Sequence, residues 1–575
     1  MNSLFGKWTS TLRKSWLLLV LSVLLSIFGI SNYGWTAERI YASYSAFQRS
    51  ISITALEKFA LDGEIGEEIA VYTRYLKSEQ IAELRQVLTS QIKVHPVAVS
   101  QFLYTSQGEF MLRRLGEVIK TESGESKSEF HALRSALILA AERPEGLTLL
   151  NVLRSYPSSS MDIDLARTLQ IAEQLQTLVN ETDKAVAAVS AKSDTEARFQ
   201  TAQQTVETAV SVDNLPNLNR RGKFVTKKQT LKFFDVIRGR LLSTEIYLPN
   251  IPSSVPVIVI SHGIGTDSSN FRYLADRLAT NGFAVVVPNH PGSDTKQIKS
   301  LLNGSASEVA QPEEFINRPL DVKFVLDELE KLNNSDPRFK KRLNLEQVGV
   351  FGQSFGGYTA LALAGAKINS EKIEQDCNQK ALKQTWNMSL LLQCRIQELQ
   401  VNKSVKQYNL YDERVKAVIA VNPITSSIFG KTGLSQIKTP VMMVTSSEDT
   451  VAPALYEQIL PFSWIANQHK YLVQLEGATH FSTIGDGKAS SEQVGIPSKL
   501  IGDNPKQAQS YMKVLSLPFF QSYVSGNSQY RPYLTAAYAE SISTKSMDLS
   551  LIENLTTTEI AKAVNSEQLS MNNKR

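Results

Sequence analysis

Residues that commonly bind metals or build disulfide frameworks are scarce in this sequence. Its 575 residues include only two cysteines and six histidines. A cysteine-rich metal site and a disulfide-stapled fold are therefore excluded. Any chemistry that depends on histidine has very few candidate residues, so each candidate is judged by its position in the chain.

The chain has no long tract of charge of one sign. The 61 basic and 56 acidic residues leave a net charge of +5, with no long basic tract. A nucleic-acid-binding protein would need a concentrated basic surface, so we set that class aside. An apolar fraction of 42% and a charged fraction of 20% predict a folded protein with a large core. The length favours two domains.

The amino terminus has no acidic residue before Glu38 and follows the pattern of an export signal. Three basic residues precede an apolar stretch over residues 16–30. This order is typical of secretory signals, although the stretch is shorter than the roughly 20 residues that span a bilayer. We predict that residues 1–37 form a cleaved signal peptide or an uncleaved anchor, with a buried core helix as the third alternative. Both leading interpretations place the remainder outside the cytoplasm, in a periplasmic or lumenal compartment.

Residues 38–205 show the apolar spacing of consecutive helices. Ile81, Leu84 and Leu88 are one example of that spacing. The segment has no paired ligand residues and no glycine loop. We predict an all-α amino-terminal domain over residues 38–205. Its end overlaps the start of a polar linker over residues 190–219. Such a domain is expected to cover the mouth of a site, to dock on a membrane, or to serve as a folding module.

In the remaining chain, residues 206–575, short apolar segments alternate with helical ones. We expect buried strands at residues 255–260, 283–287, 348–351, 415–421, 441–445 and 471–475. This alternation predicts an α/β fold with a doubly wound, mostly parallel sheet. A hairpin over residues 230–249 is expected to supply an antiparallel edge. The basic residues around this hairpin either protect the edge from pairing or contact anionic lipid headgroups weakly.

The pentapeptide GQSFG at residues 352–356 lies between one of these strands and a helix. A strand-to-helix reversal holds its serine in a strained conformation, with the hydroxyl exposed above the strand end. Gly352 and Gly356 avoid collisions within the turn, and Gly357 lets the helix approach the sheet. Ser354 is therefore the candidate nucleophile, and an ordinary glycine-rich turn is the alternative.

A serine nucleophile needs a base and an acid, which in such a fold follow it in the order acid, then histidine. Only His469 and His480 follow Ser354 in the sequence. His469 precedes a strand and falls at the wrong end of the sheet, whereas His480 follows that strand. Asp449, after the preceding strand, is the candidate acid, and Glu448 is the alternative.

Acyl transfer also needs donors that stabilise an oxyanion. The segment SHGIG at residues 261–265 follows the first buried strand, where one donor is expected. We predict that the backbone amides of Ile264 and Phe355 are the two donors. His262 and His290 are interpreted as structural loop residues rather than further bases.

The segments 261–265, 352–357 and 477–481, together with Asp449, resemble the α/β-hydrolase superfamily. The pairing of SHGIG with GQSFGG is similar to the platelet-activating-factor acetylhydrolase branch, and less closely to dienelactone hydrolases, whose nucleophile is cysteine. The first resemblance implies a phospholipid or short-acyl ester substrate and no calcium requirement. Residues 37–153 resemble a domain of unknown function that is fused to such hydrolases in oxygenic photosynthetic bacteria. That second resemblance implies no activity.

The two cysteines, Cys377 and Cys394, fall in a helical insertion over residues 368–411. In an exported protein, two cysteines at this spacing suggest a disulfide that pins a helical hairpin. Two free, buried thiols remain the alternative.

These observations predict an exported serine hydrolase that cleaves carboxylic esters, with lipid or other apolar acyl substrates favoured. Neither a metal nor an organic cofactor is required by the Ser-Asp-His chemistry. The expected partners are the ester substrate and a membrane surface, and the oligomeric state is left open. The alternatives are peptidase or acyltransferase action on the same residues, and a non-catalytic envelope binding protein on a hydrolase scaffold.

Overall fold

The structure is a computed structural model, and its two units are described separately. It describes residues 37–44, 47–74, 76–92, 96–121, 126–204, 215–400, 409–486 and 501–564. The units are Met1–Asn180 with Ser300–Glu308, and Glu181–Lys299 with Val309–Arg575. The predicted export signal lies outside the described residues, apart from Ala37. Within the described ranges, no helix is long and apolar enough to cross a membrane.

The first unit contains a small sheet in the order β2-β1-β4-β3. The strands are β1 (Arg39–Tyr44), β2 (Phe47–Ser52), β3 (Ile119–Thr121) and β4 (Ser160–Asp164). Strand β1 pairs antiparallel with β2, which follows it in the chain. It pairs parallel with β4, although β1 and β4 are far apart in sequence. The sheet therefore joins the beginning of the unit to its end.

Most of the first unit is helical, as predicted. Its helices are α1 (Ile53–Asp62), α2 (Glu67–Thr73), α3 (Ser78–Thr89), α4 (Pro96–Leu103), α5 (Ser106–Gly116), α6 (Ser126–Glu142) and α7 (Leu149–Leu153). The prediction of an all-α domain was wrong in its exclusion of strands. In β4, Met161 and Ile163 are buried between less buried neighbours. Such a short alternating segment is easily hidden among longer helical patterns.

The second unit is built on a nine-stranded sheet within the described residues, in the order β13-β12-β11-β10-β9-β7-β8-β6-β5. The strands are β5 (Thr226–Asp235), β6 (Arg240–Pro249), β7 (Val255–Ser261), β8 (Ala284–Pro288), β9 (Leu343–Gln353), β10 (Val415–Val421), β11 (Val441–Ser446), β12 (Lys470–Leu475) and β13 (Leu549–Ile552). Strands β7 to β12 are parallel, β6 and β13 run antiparallel to them, and β5 pairs antiparallel with β6. The predicted sheet and its antiparallel hairpin edge are confirmed, and β13 is an additional edge strand.

Helices cover both faces of this sheet, and each face has its own apolar core. Alternating residues of β7 divide between the two cores, with Val257 and Val259 in one and Ile258 and Ile260 in the other. The longer covering helices are α9 (Arg272–Thr280), α11 (Glu314–Ser335), α12 (Phe355–Leu363) and α19 (Pro505–Tyr523). Helix α10 (Thr295–Leu302) begins in this unit, and its residues from Ser300 onward belong to the first unit.

Short helices complete the unit, and several of them form the predicted insertion. Those in the insertion are α13 (Ser370–Asp376), α14 (Gln379–Gln384), α15 (Met388–Cys394) and α16 (Gln397–Gln400). The others are α17 (Gly430–Leu434), α18 (Leu460–Trp464), α20 (Ala536–Ile542) and α21 (Thr557–Val564).

A 40-residue helix, α8 (Leu165–Gln204), occupies much of the segment that we expected to be a linker. From Glu181 onward it belongs to the second unit, where Ala185, Val186 and Val189 are buried in the sheet core. The side chain of Gln474 on β12 donates to the Val186 carbonyl oxygen at 3.1 Å. The linker prediction was therefore wrong for residues 190–204. This segment is mostly polar, but its apolar residues recur one helical turn apart, and the helix continues through it. Residues 205–214 lie outside the described ranges.

Candidate active site

Ser354 lies between the end of β9 and the start of α12, in a strained conformation. Its φ is 55° and its ψ is −118°, in a region that side chains rarely occupy. A Cβ on Gly352 would lie 1.9 Å from the Gly356 carbonyl oxygen, and one on Gly356 would lie 2.0 Å from the Ser261 carbonyl oxygen. Only glycine fits at these two positions. A Cβ on Gly357 would lie 2.9 Å from Cβ of Pro423, so this glycine permits close packing.

The structure brings Ser354, His480 and Asp449 into one hydrogen-bonded chain. His480 Nε2 lies 2.9 Å from the Ser354 hydroxyl oxygen, and His480 Nδ1 lies 2.6 Å from an Asp449 carboxylate oxygen. Asp449 and His480 are almost fully buried, whereas Ser354 is partly exposed. The carboxylate neighbour places the imidazole proton on Nδ1, which leaves Nε2 free to accept the serine proton.

Asp449, rather than Glu448, is the carboxylate that reaches the histidine. Its second carboxylate oxygen accepts hydrogen bonds from the amides of Val451 at 2.9 Å and Ala452 at 2.7 Å. These two bonds fix the carboxylate plane. The Glu448 side chain is exposed, and its backbone amide bonds the Ala478 carbonyl oxygen instead.

Two side chains at neighbouring strand ends hold the backbone of His480. Gln353, the last residue of β9, donates to the His480 carbonyl oxygen at 3.0 Å. Asn422, which follows β10 with a φ of 44°, donates to the same oxygen at 3.3 Å. The position of the imidazole is therefore set from the sheet as well as from its own loop.

The loop at residues 261–265 lies directly against the serine. A Cβ on Gly263 would be 3.3 Å from Cβ of Ser354. Neither the Ile264 amide nor the Phe355 amide donates a hydrogen bond to another described residue. Both amides belong to segments that adjoin Ser354, as predicted for oxyanion donors. The Phe355 ring is fully buried, 4.8 Å from the centre of the Phe315 ring, and so forms part of the core.

A fully buried arginine, Arg318 on α11, supports this loop. Its Nη1 donates to the His262 carbonyl oxygen at 2.5 Å, and its Nη2 lies 3.4 Å from that of Gly263. Its Nε donates to the Ser293 hydroxyl at 2.9 Å, and its guanidinium carbon lies 4.7 Å from the centre of the Phe355 ring. Burial lowers the pKa of Arg318 to about 10. The arginine thus contacts both segments that carry the predicted oxyanion donors.

His262 and His290 are buried and connect the loops around the site. His262 Nδ1 lies 2.8 Å from the Gly263 carbonyl oxygen, and its Nε2 accepts from the His290 amide at 3.0 Å. His290 bridges Ser261 and Asp321, each at 3.0 Å. Burial lowers the pKa of both imidazoles well below the usual value. Their places in the structure agree with a loop-supporting role.

Cys377 and Cys394 form a disulfide in the insertion, with Cα atoms 5.3 Å apart. The neighbouring Gln393 donates to the fully buried carboxylate of Glu457 at 3.0 Å. The insertion also reaches the acid loop, because the Ser389 amide donates to the Val451 carbonyl oxygen at 3.0 Å.

Several supporting residues were not found by sequence reasoning, and they share one property. Arg318, Asn422 and Glu457 belong to no local motif, Gln353 occupies a variable position of the GQSFG pentapeptide, and the partners of all four are distant in the chain. No group of three or more potential metal ligands occurs among the residues that the structure describes.

The comparisons with known proteins agree with this geometry. Residues 256–374 match the model of the alpha/beta hydrolase fold, and residues 36–164 match an alpha/beta hydrolase of unknown function (DUF1400). A search of curated proteins gives no match. The sheet and the strained turn at Ser354 give the second unit the fold of the α/β hydrolases, and the match to that model supports a hydrolase. Together with the DUF1400 match, this agrees with the resemblance, drawn from the sequence, to α/β hydrolases that carry an amino-terminal domain of unknown function.

Proposed function

We propose that this hydrolase cleaves carboxylic esters through Ser354, His480 and Asp449. The observation that carries the proposal is the continuous chain from the serine hydroxyl through both imidazole nitrogens to a buried carboxylate. The strained serine exposes its hydroxyl at the carboxyl edge of the sheet, where the class places its nucleophile. A binding protein that catalyses no reaction would not need a serine held in this strained backbone conformation.

In the proposed reaction, the Ser354 oxygen attacks the ester carbonyl while His480 Nε2 accepts the hydroxyl proton. Asp449 orients the imidazole and stabilises its cation. The amides of Ile264 and Phe355 donate to the oxyanion. His480 then transfers the proton to the leaving alcohol. Water, deprotonated by the same nitrogen, releases the acid and restores the serine.

We further propose an apolar acyl substrate, such as a lipid ester, and a site of action outside the cytoplasm. Ile264 and Phe481 are partly exposed apolar residues beside the reacting groups, which favours an apolar acyl chain. The disulfide favours an oxidising compartment, and the amino-terminal pattern favours export.

Substitution of the three residues tests the reaction. Ser354→Ala and His480→Ala should each abolish turnover of p-nitrophenyl esters, and the double variant should lose little more, because the residues act as a unit. Asp449→Asn should lower kcat by ~10⁴-fold. Glu448→Gln, a neighbouring exposed carboxylate, is the matched control and should retain full activity. A larger loss in Glu448→Gln than in Asp449→Asn would overturn the assignment of the acid.

Parallel substrates separate this proposal from its alternatives. Ester and amide substrates with the same acyl group should show a strong preference for the ester, and amide preference would favour a peptidase. Transfer of the acyl group to an added alcohol rather than to water would indicate an acyltransferase. Failure of Ser354 to react with a fluorophosphonate would favour a non-catalytic binding protein.

A further inference from the structure

Four large apolar side chains are exposed around the turn that joins β5 and β6. The exposed fractions are 57% for Phe234, 79% for Val236, 97% for Ile237 and 52% for Leu241. We call these four residues the apolar tip. Single exposed apolar side chains are common on proteins, but a contiguous group usually marks an interaction surface.

The apolar tip lies on the same edge of the sheet as Ser354. Strand β6 runs antiparallel to β8, with Thr244 opposite Pro288, the last residue of β8. The chain that precedes Thr244 therefore extends past the carboxyl end of β8. Strands β7, β8 and β9 are parallel, and Ser354 follows the carboxyl end of β9. A surface that contacts the tip would thus face the edge from which substrate enters.

Ion pairs hold the base of the tip in place. Arg238 donates to Asp321 at 2.7 Å, and Arg240 donates to Glu314 and Asp321, each at 2.7 Å. Both acids are on α11 and are fully buried. Because the arginine charges are neutralised within the protein, the tip is a fixed apolar projection rather than a cationic one.

A positively charged side chain, that of Lys232, follows the apolar tip on the exposed face of the hairpin. Phe234 and Leu241 are opposite each other on the exposed face, and the next pair on that face is Lys232 and Ser243. This step of two residues places Lys232 about 7 Å further from the tip. Lys232 is exposed and forms no ion pair with any described residue. An apolar end followed by a cation matches the order of acyl chains and phosphates at a membrane surface.

We propose that the apolar tip inserts into the surface of a lipid bilayer, with Lys232 at the level of the lipid phosphates. Insertion would bring Ser354 to ester substrates in the bilayer, and only this purpose rests on the proposed function. The tip is convex and narrow, so it fits a deformable lipid surface better than the flat face of a folded partner. Insertion by this hairpin differs from docking by the amino-terminal domain.

A fluorescent label on the full chain tests insertion independently of activity. Ile237→Cys and Val225→Cys are each labelled with an environment-sensitive fluorophore on the cysteine that they introduce. Val225 is 76% exposed and lies at the opposite end of the same hairpin, which makes it the matched control. Vesicles of phosphatidylcholine with phosphatidylglycerol should shift the emission to shorter wavelength at position 237 and leave position 225 unchanged.

If something other than a bilayer covers the apolar tip, the fluorescence gives a different result. Each such result would overturn the proposal. A shifted emission at position 237 before vesicles are added would show that another part of the chain covers the tip. A shift that depends on protein concentration without vesicles would show contact with a second copy. No shift at position 237 on addition of vesicles would exclude insertion.

Turnover separates failure of this proposal from failure of the proposed function. The Val236→Ser, Ile237→Ser double variant should lose about 10-fold or more of its turnover of vesicle-bound esters and none with soluble p-nitrophenyl acetate. Val225→Ser should change neither rate. Unchanged turnover of vesicle-bound esters in the double variant would overturn the docking role. Absence of ester turnover in the unsubstituted protein would overturn the proposed function, while the fluorescence result would still decide insertion.

Discussion

Arg318 donates from Nη1 to the His262 carbonyl oxygen at 2.5 Å, although the two residues are 56 positions apart and both are fully buried. The same guanidinium approaches the carbonyl oxygen of Gly263, which belongs to the peptide unit that ends in the Ile264 amide. Its guanidinium carbon also lies over the Phe355 ring. One side chain therefore orients both segments that would stabilise an oxyanion.

This relationship predicts a defect in kcat when Arg318 is replaced. Arg318→Lys keeps the charge but loses the planar set of donors, so kcat for a soluble ester should fall by about 10- to 100-fold with little change in KM. Arg318→Met should lose more activity. Arg338→Met, at an exposed arginine that also pairs with a carboxylate, is the control. Reduced thermal stability with unchanged kcat in Arg318→Lys would show that the residue acts only on folding.

The buried imidazoles predict a loss of stability in mild acid. The pKa values of His262 and His290 are lowered well below normal in the folded state, so both remain neutral there. In the unfolded chain they bind protons below about pH 6.5. The unfolded state then binds more protons, and the free energy of unfolding should fall by up to about 1.4 kcal/mol per pH unit for each histidine.

Urea unfolding between pH 7.5 and 5.5 measures this slope, in a range where ordinary carboxylates remain ionised. His290→Gln should make the dependence shallower, whereas His131→Gln, at an exposed histidine, should leave it unchanged. A slope that is the same in His290→Gln and in the unsubstituted protein would contradict the prediction.

The disulfide predicts a stability difference between oxidised and reduced protein. Cys377 and Cys394 are 17 residues apart, and closure of such a loop is worth about 3 kcal/mol in the chain-entropy model. Non-reducing mass spectrometry of protein prepared without a reductant should detect the linked peptides. The Cys377→Ser, Cys394→Ser variant should lose stability comparable to that lost on reduction. Two thiols that alkylate freely without a reductant would contradict the bond.

The contacts of the second half of α8 predict how much of the amino-terminal unit can be deleted without unfolding the hydrolase unit. Ala185, Val186 and Val189 lie in the core of the hydrolase unit, and Ser193 forms hydrogen bonds with the backbone of Leu551. Removal of residues 38–180 should therefore leave a folded enzyme that cleaves soluble esters. Removal of residues 38–204 should give an unstable product with little activity.

Circular dichroism and turnover of a soluble ester compare the two deletions, which both retain residues 300–308. Equal stability of the two products would show that residues 181–204 are dispensable. If the shorter deletion also loses activity on vesicle-bound esters alone, the amino-terminal unit has a role in access to substrate. Loss of folding in both products would favour the folding-module hypothesis.

The parallel sheet and the candidate site residues could be predicted from the sequence where each depends on a local pattern. Apolar segments of four to seven residues identify the buried strands, and the glycines around Ser354 identify the turn, because each pattern is complete within one short segment. Asp449 and His480 followed from the rule that catalytic groups lie after the carboxyl ends of parallel strands. The disulfide could be suggested only because the chain has two cysteines.

Other features could not be predicted, because the forces that form them act between distant segments. Strand β1 is stabilised by pairing with β4, more than 100 residues later, and its own six residues carry a weak signal. The second half of α8 has a polar composition, so its burial is apparent only against β12 and β13. Arg318 resembles any charged residue on a helix until its partners on the loop at residues 261–265 are known.

The two bonds from Gln353 and Asn422 to the His480 carbonyl oxygen have a consequence for how this protein tolerates change. Because the rigid sheet holds the residue that exchanges protons, the exposed positions of its own loop have less influence on where the imidazole lies. Substitutions at such exposed positions should accumulate among descendants of this chain without loss of the reaction. Natural variation there is then available to alter which substrates are accepted, while the chemistry stays constant.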